Sequence, residues 1–104
     1  MLRTISEGQF FFKEDKELFG YFKVGSSFVG VKGKADSEVP ALTINPAKYT
    51  YKNIAEDFRG PFWASVGPED AFIVLLDHPD TTINGRLERR IDKEIEVRGT
   101  FIQD

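Results

Sequence analysis

The sequence predicts a mainly β domain of the α+β class, a small, strongly coiled antiparallel sheet or partly open barrel with one amphipathic helix packed on it. Three observations predict this. Seven aromatic residues, Phe10, Phe11, Phe12, Phe19, Tyr21, Phe22 and Phe28, crowd the nineteen positions from Phe10 to Phe28 in chain that reads as extended. Gly20, Gly25, Gly30 and Gly33 punctuate the same region, as bulges and barrel corners require. One segment only, from about Pro46 to Arg59, combines helical apolar spacing with start and stop signals.

The elements follow in order. Residues 9–13 and 18–22 form a hairpin around the solvated loop Glu14-Asp15-Lys16-Glu17. With Lys13 opposite Leu18, Phe12 faces Phe19 and Phe10 faces Tyr21, which stacks four aromatics on one side and leaves Phe11 and Phe22 on the other. A slip of one residue exchanges the faces. Ser27–Lys34 is a third strand, residues 35–40 a loop, and Ala41–Ile44 a short strand.

Asn45 can cap a helix whose first position is Pro46 and which ends at Gly60-Pro61. Ala47, Tyr51, Ile54, Ala55 and Phe58 would form its buried stripe. Strands return at Phe62, with Phe62, Ala64 and Val66 on one face and Trp63 and Ser65 on the other. Gly67-Pro68-Glu69-Asp70 turns into the apolar run Ala71–Leu76, which reads as a central strand covered on both sides. Asn84-Gly85 reads as the turn of a further hairpin, with residues 86–91 either strand or helical turn. The last strand, about Glu94 to Ile102, points Ile95, Val97, Gly99 and Phe101 inward and Glu96, Arg98 and Thr100 outward.

Composition narrows the function classes. At 104 residues, 40% hydrophobic and 30% charged, the chain is within the range of one ordinary soluble domain, residues 1–104. The opening Met-Leu-Arg-Thr-Ile-Ser-Glu lacks the apolar core of a secretory signal, and no window reaches the length of a membrane span. Without cysteine there is no disulfide, thiolate chemistry or cysteine-ligated metal, which fits a cytoplasmic location. A net charge of −3 lacks the basic footprint of a duplex-binding protein.

The motifs that carry chemistry are few. Gly25-Ser-Ser-Phe-Val-Gly30 has the glycine spacing of a phosphate loop, but Val31 and Lys32 stand where Lys and then Ser or Thr are needed. Gly30-Val-Lys-Gly33 matches the GXXG string of a KH loop, yet it lies in strand rather than between helices. His78, the sole histidine, sits between Asp77 and Asp80 just after an apolar strand, where carboxylates could orient an imidazole. Asp-His-Pro-Asp is equally ordinary turn chemistry. Arg89 and Arg90 are the best polyanion contacts in a segment whose basic residues interleave with Glu88, Asp92, Glu94 and Glu96.

Strands, then one helix, then strands, closing on Ile91-Asp-Lys-Glu-Ile-Glu-Val-Arg-Gly-Thr-Phe101, resembles the order of the oligonucleotide/oligosaccharide-binding barrel, in which a helix sits between the third and fourth strands. That resemblance implies a shape and leaves function open.

The expectation from sequence is a non-catalytic binding or interaction module that needs no cofactor or metal. It self-associates as a homodimer through an aromatic sheet face carrying Phe11, Phe22 and Trp63, with a small molecule or another protein as further possible partners. The alternatives are a single-stranded nucleic-acid binder, disfavoured by the net acidity, and a small enzyme using His78 with Asp77 or Asp80.

Overall fold

The computed structural model describes residues 4–51 and 59–102. They form eight antiparallel strands, β1 (Thr4–Phe12), β2 (Glu17–Val24), β3 (Ser27–Ala35), β4 (Leu42–Tyr51), β5 (Gly60–Val66), β6 (Asp70–Leu75), β7 (Thr82–Leu87) and β8 (Ile95–Ile102). The strands close into a barrel in the order β1-β2-β3-β8-β5-β6-β7-β4, with β4 returning to β1. Each half of the chain is a Greek key: β4 lies beside β1, and β8 beside β5. The two keys are joined by the pairs β3–β8 and β4–β7, so advancing every strand number by four leaves the ring unchanged. Closure gives every strand a neighbour on each side, with β3 held to β8 over Lys32–Ala35.

Alternation along each strand sends one set of side chains into the barrel. Phe10, Phe12, Phe22, Tyr49, Phe62 and Phe101 are among the largest of them, and all are buried. Phe62 and Phe101 meet with ring centroids 4.7 Å apart, and Phe10 contacts both Phe12 and Phe101 edge-on. At the other end Phe22, Tyr49 and Tyr51 stack in series, and the Tyr51 hydroxyl shares a 3.0 Å hydrogen bond with buried Ser6 Oγ. The lumen is therefore packed core, as an interior of this strand number allows.

Five expectations are corrected. The helix over 46–59 is not formed in its described part, since Pro46–Tyr51 belong to β4; residues 52–58, with Ile54, Ala55 and Phe58 of the predicted stripe, lie outside the described residues. Among the described residues the only helical piece is a 3₁₀ turn at Glu14–Lys16, so the barrel is all-β there and no helix sits between β3 and β4. Tertiary pairing overrode the helix signals. Tyr49, Thr50 and Tyr51 suit a pleated strand, and β4 finds partners on both sides in β1 and β7. Asn45-Pro46, which looked like a cap, instead forms a bulge, opposite which the register slips against both neighbours. The partly open barrel with an order of strands like the oligonucleotide/oligosaccharide-binding barrel is likewise replaced by eight strands in a closed ring.

The Asn84-Gly85 hairpin is also absent, because both residues lie inside β7, paired to β4 and β6. Glycine is needed there for close approach, not for a turn. A Cβ at Gly85 would run into the Pro46 carbonyl oxygen at the bulge and lie 2.7 Å from Ile44 Cγ2. The β6 run is covered on one side only, with Ala71, Ile73 and Leu75 inward and Phe72 exposed.

The fifth correction is the β1–β2 register. Phe12 pairs with Leu18, Phe11 with Phe19, Phe10 with Gly20 and Gln9 with Tyr21, one residue from the expected alignment. The loop has three residues, Glu14–Lys16, with Asp15 and Lys16 at φ of 60° and 66°, closed by a 2.8 Å bond from Lys13 N–H to the Glu17 carbonyl. Phe10, Phe12, Leu18 and Phe22 thereby share the lumen, and Gly20 leaves room for the Phe10 ring.

Two substitutions test this account by chemical denaturation. Gly85→Ala is expected to cost about 1 to 3 kcal/mol by overpacking against the β4 bulge, whereas an unstrained site would gain from the change. Tyr51→Phe strips Ser6 of its buried partner and should cost about 1 to 3 kcal/mol; a change near zero would show that the pair is not buried.

Candidate functional site

With the lumen filled, any site must lie outside the barrel. Crossing β1, β2 and β3 at successive levels, the outward residues are Lys13, Glu17 and Lys34; then Phe11, Phe19 and Lys32; then Gln9, Tyr21 and Gly30; then Glu7, Lys23 and Phe28. Phe11 stacks on Phe19 at 6.3 Å with the rings 18° apart, Tyr21 lies 6.2 Å from both, and Phe28 meets Tyr21 edge-on at 6.3 Å. Four rings therefore run without a break across three strands. Phe28 is 67% exposed and Phe19 39%, while Phe11 and Tyr21 are half-buried by their neighbours.

The polar groups around the rings hold them in place. Tyr21 donates its hydroxyl hydrogen to Gln9 Oε1 at 2.7 Å, which fixes the ring across the strand pair. Lys13 Nζ lies 5.3 Å from the Phe19 ring centre, within reach of a cation–π contact. Beside Phe11 the face runs into a shallow cleft of about 520 Å³ between the 3₁₀ turn and the start of β4, with Lys13, Glu14, Asp15, Glu17 and Thr43 in its walls.

The residues expected from sequence are scattered by the fold. Phe11 belongs to the aromatic face. Phe22 does not: it is 0% exposed in the lumen against Tyr49, because the one-residue register shift turned it inward. Trp63 points outward from β5, but it pairs with Arg98 on β8 and Val74 on β6, so β8 separates it from the ring-bearing strands. Arg89 and Arg90 diverge: Arg89 donates to the Ala41 carbonyl at 3.2 Å, while exposed Arg90 pairs with Glu69 at 3.2 Å. Both tie loops together rather than forming a joint basic patch.

His78 lies exposed in a turn in which its N–H reaches the Leu75 carbonyl and its own carbonyl accepts from Thr81 N–H at 2.8 Å. Asp77 is exposed beside it, and Asp80 is engaged in an interaction of its own. No cluster of three or more His, Asp or Glu side chains suited to a metal occurs among the described residues. Nor, among them, is any helix long and apolar enough to cross a membrane.

Phe19, Tyr21 and Phe28 escaped sequence reasoning as surface residues, although a signal was present. Glu17, Phe19, Tyr21 and Lys23 share one parity, and Leu18, Gly20, Phe22 and Val24 the other. Charges at both ends mark the first set as the wet face.

Comparison with family models, with curated proteins and with solved structures finds no match for this chain.

Phe28→Ala should change unfolding free energy by no more than about 0.5 kcal/mol, as an exposed side chain does. Phe22→Ala should cost about 3 to 5 kcal/mol through a core cavity. Equal effects in a urea titration would contradict the sorting of the two faces.

Proposed function

We propose that the chain is a non-catalytic binding module whose working surface is the outer face of β1–β3. The supporting observation is the unbroken series Phe11, Phe19, Tyr21 and Phe28 on the outside of a barrel that already has a complete aromatic core. A soluble domain gains nothing in stability from exposing such rings, and contiguous apolar patches on soluble proteins mark contact sites. Aromatic residues are also the side chains that anchor interfaces. Absence of cysteine suits such a module to a reducing, cytoplasmic setting.

A second reading rests on a separate observation. Lys13, Lys23 and Lys32 flank the rings, and rings with adjacent cations form the stacking platform that single-stranded nucleic acid uses. Glu7, Glu14, Asp15 and Glu17 on the same flank oppose a polyanion, as does the net charge of −3.

Amide and ring shifts of the labelled protein, followed by NMR on dilution and on titration with oligothymidylate, test the assignment. Changes confined to the face of Phe11, Phe19, Tyr21, Lys23 and Phe28 in either series are expected. Changes centred on Trp63, on the Arg89–Arg90 loop or on His78 would move the site elsewhere. His78→Ala should leave either response intact; its loss in a variant of unchanged stability would bring the His78 turn, with Asp77 and Asp80, into the site.

A further inference from the structure

Resting on that reading of the face, we propose that its occupant is a second copy of this chain, docked with β2 antiparallel over β2. The charges of the face are arranged for self-recognition. Along β2 the outward order is Glu17, Phe19, Tyr21, Lys23; beside it, read in the same direction from the residue that follows β1 and then along β1, it is Lys13, Phe11, Gln9, Glu7. Each row has opposite charges at its two ends, and the two rows have opposite polarity.

Two copies can meet face to face about a two-fold axis that lies in the contact plane either across the strands or along them. With the axis across the strands, every strand lies reversed over its own copy. Glu17 then faces the partner's Lys23, Lys13 faces the partner's Glu7, and Phe19 meets the partner's Tyr21. On β3, Lys34 comes over the partner's Phe28, and the long Lys32 over the partner's Gly30. With the axis along the strands, Glu17 would face Glu17, Lys23 would face Lys23, and Lys13 would meet Lys34. The first arrangement pairs opposite charges along β1 and β2 and brings no like charges together, whereas the second opposes like charges, a difference that fixes orientation.

Other modes of self-association are less open to this chain. Ring closure pairs every strand with two neighbours, and the stretch of β3 that has no described partner on its β8 side is short, Ser27–Val31, so the broad surface left for association is the outer face. An isologous contact repeats each pair by symmetry, which doubles the effect of any complementary or clashing charge.

Sedimentation of the parent and of two charge reversals decides the matter. The parent should shift with concentration from 11.8 kDa toward twice that mass. Glu17→Lys alone and Lys23→Glu alone should each weaken self-association about tenfold or more, since like charges then oppose at two symmetric places. Mixed in equal amounts, the two variants should associate again, because Lys at 17 of one chain meets Glu at 23 of the other and the reverse pair is equally matched.

Circular dichroism like that of the parent, expected for exposed positions, excludes unfolding as the cause. A parent that stays monomeric at millimolar concentration overturns the proposal, as does a dimer indifferent to both reversals or a mixture that fails to recover. If the parent is monomeric while oligothymidylate moves the same residues in the NMR titration, the second copy is ruled out and the binding face stands. If neither moves them, both fail.

Discussion

The pairing of Phe11 with Phe19 across β1 and β2 determines most of what this molecule is. Because side chains alternate at every residue, that one alignment decides which rings of an aromatic-rich hairpin enter the barrel and which remain in water. It places Phe10, Phe12, Leu18 and Phe22 among the core side chains and Phe11, Phe19 and Tyr21 outside. The three-residue loop with two left-handed residues sets the alignment, and the Lys13–Glu17 backbone bond closes it. A loop longer by one residue would exchange the two sets and with them the core and the surface.

Barrel closure depends on a second constraint, the tight contact of β7 with β4. The bulge at Asn45-Pro46 bends β4 so that it can serve both β1 and β7, and Gly85 admits the displaced Pro46 carbonyl. The lumen of the completed ring is filled with side chains, so among the described residues the surfaces open to a ligand or another molecule lie outside it. The outer face of β1–β3 combines contiguous rings with charges of both signs, whereas Trp63 lies beside Val74 on the far side of β8.

Much of this architecture was legible in the sequence. The alternation of Ile95, Val97, Gly99 and Phe101 marked β8 correctly, and Phe62, Ala64 and Val66 marked the inner face of β5. The aromatic surplus near the N-terminus correctly implied rings on two faces. What misled was local chemistry that the tertiary fold put to another use. Asn45-Pro46 has the form of a helix cap and serves as a bulge; Asn84-Gly85 has the form of a hairpin turn and serves as a close crossing. Ala47 and Tyr51 satisfy the helical spacing i, i+4, but the same two positions are also in phase at period two, together with Tyr49. The shift that sent Phe22 inward depended on a loop length that the charged stretch from Glu14 to Glu17 did not specify.

The β1–β2 register sorts the core from the surface, and interstrand nuclear Overhauser effects measure it directly. Backbone cross-peaks linking Phe11 to Phe19 and Gln9 to Tyr21 are predicted, with Phe10 opposite Gly20. Cross-peaks linking Phe12 to Phe19 and Phe10 to Tyr21 would contradict it, because Phe22 would then share a face with Phe11 and the ring series across β1–β3 would not exist.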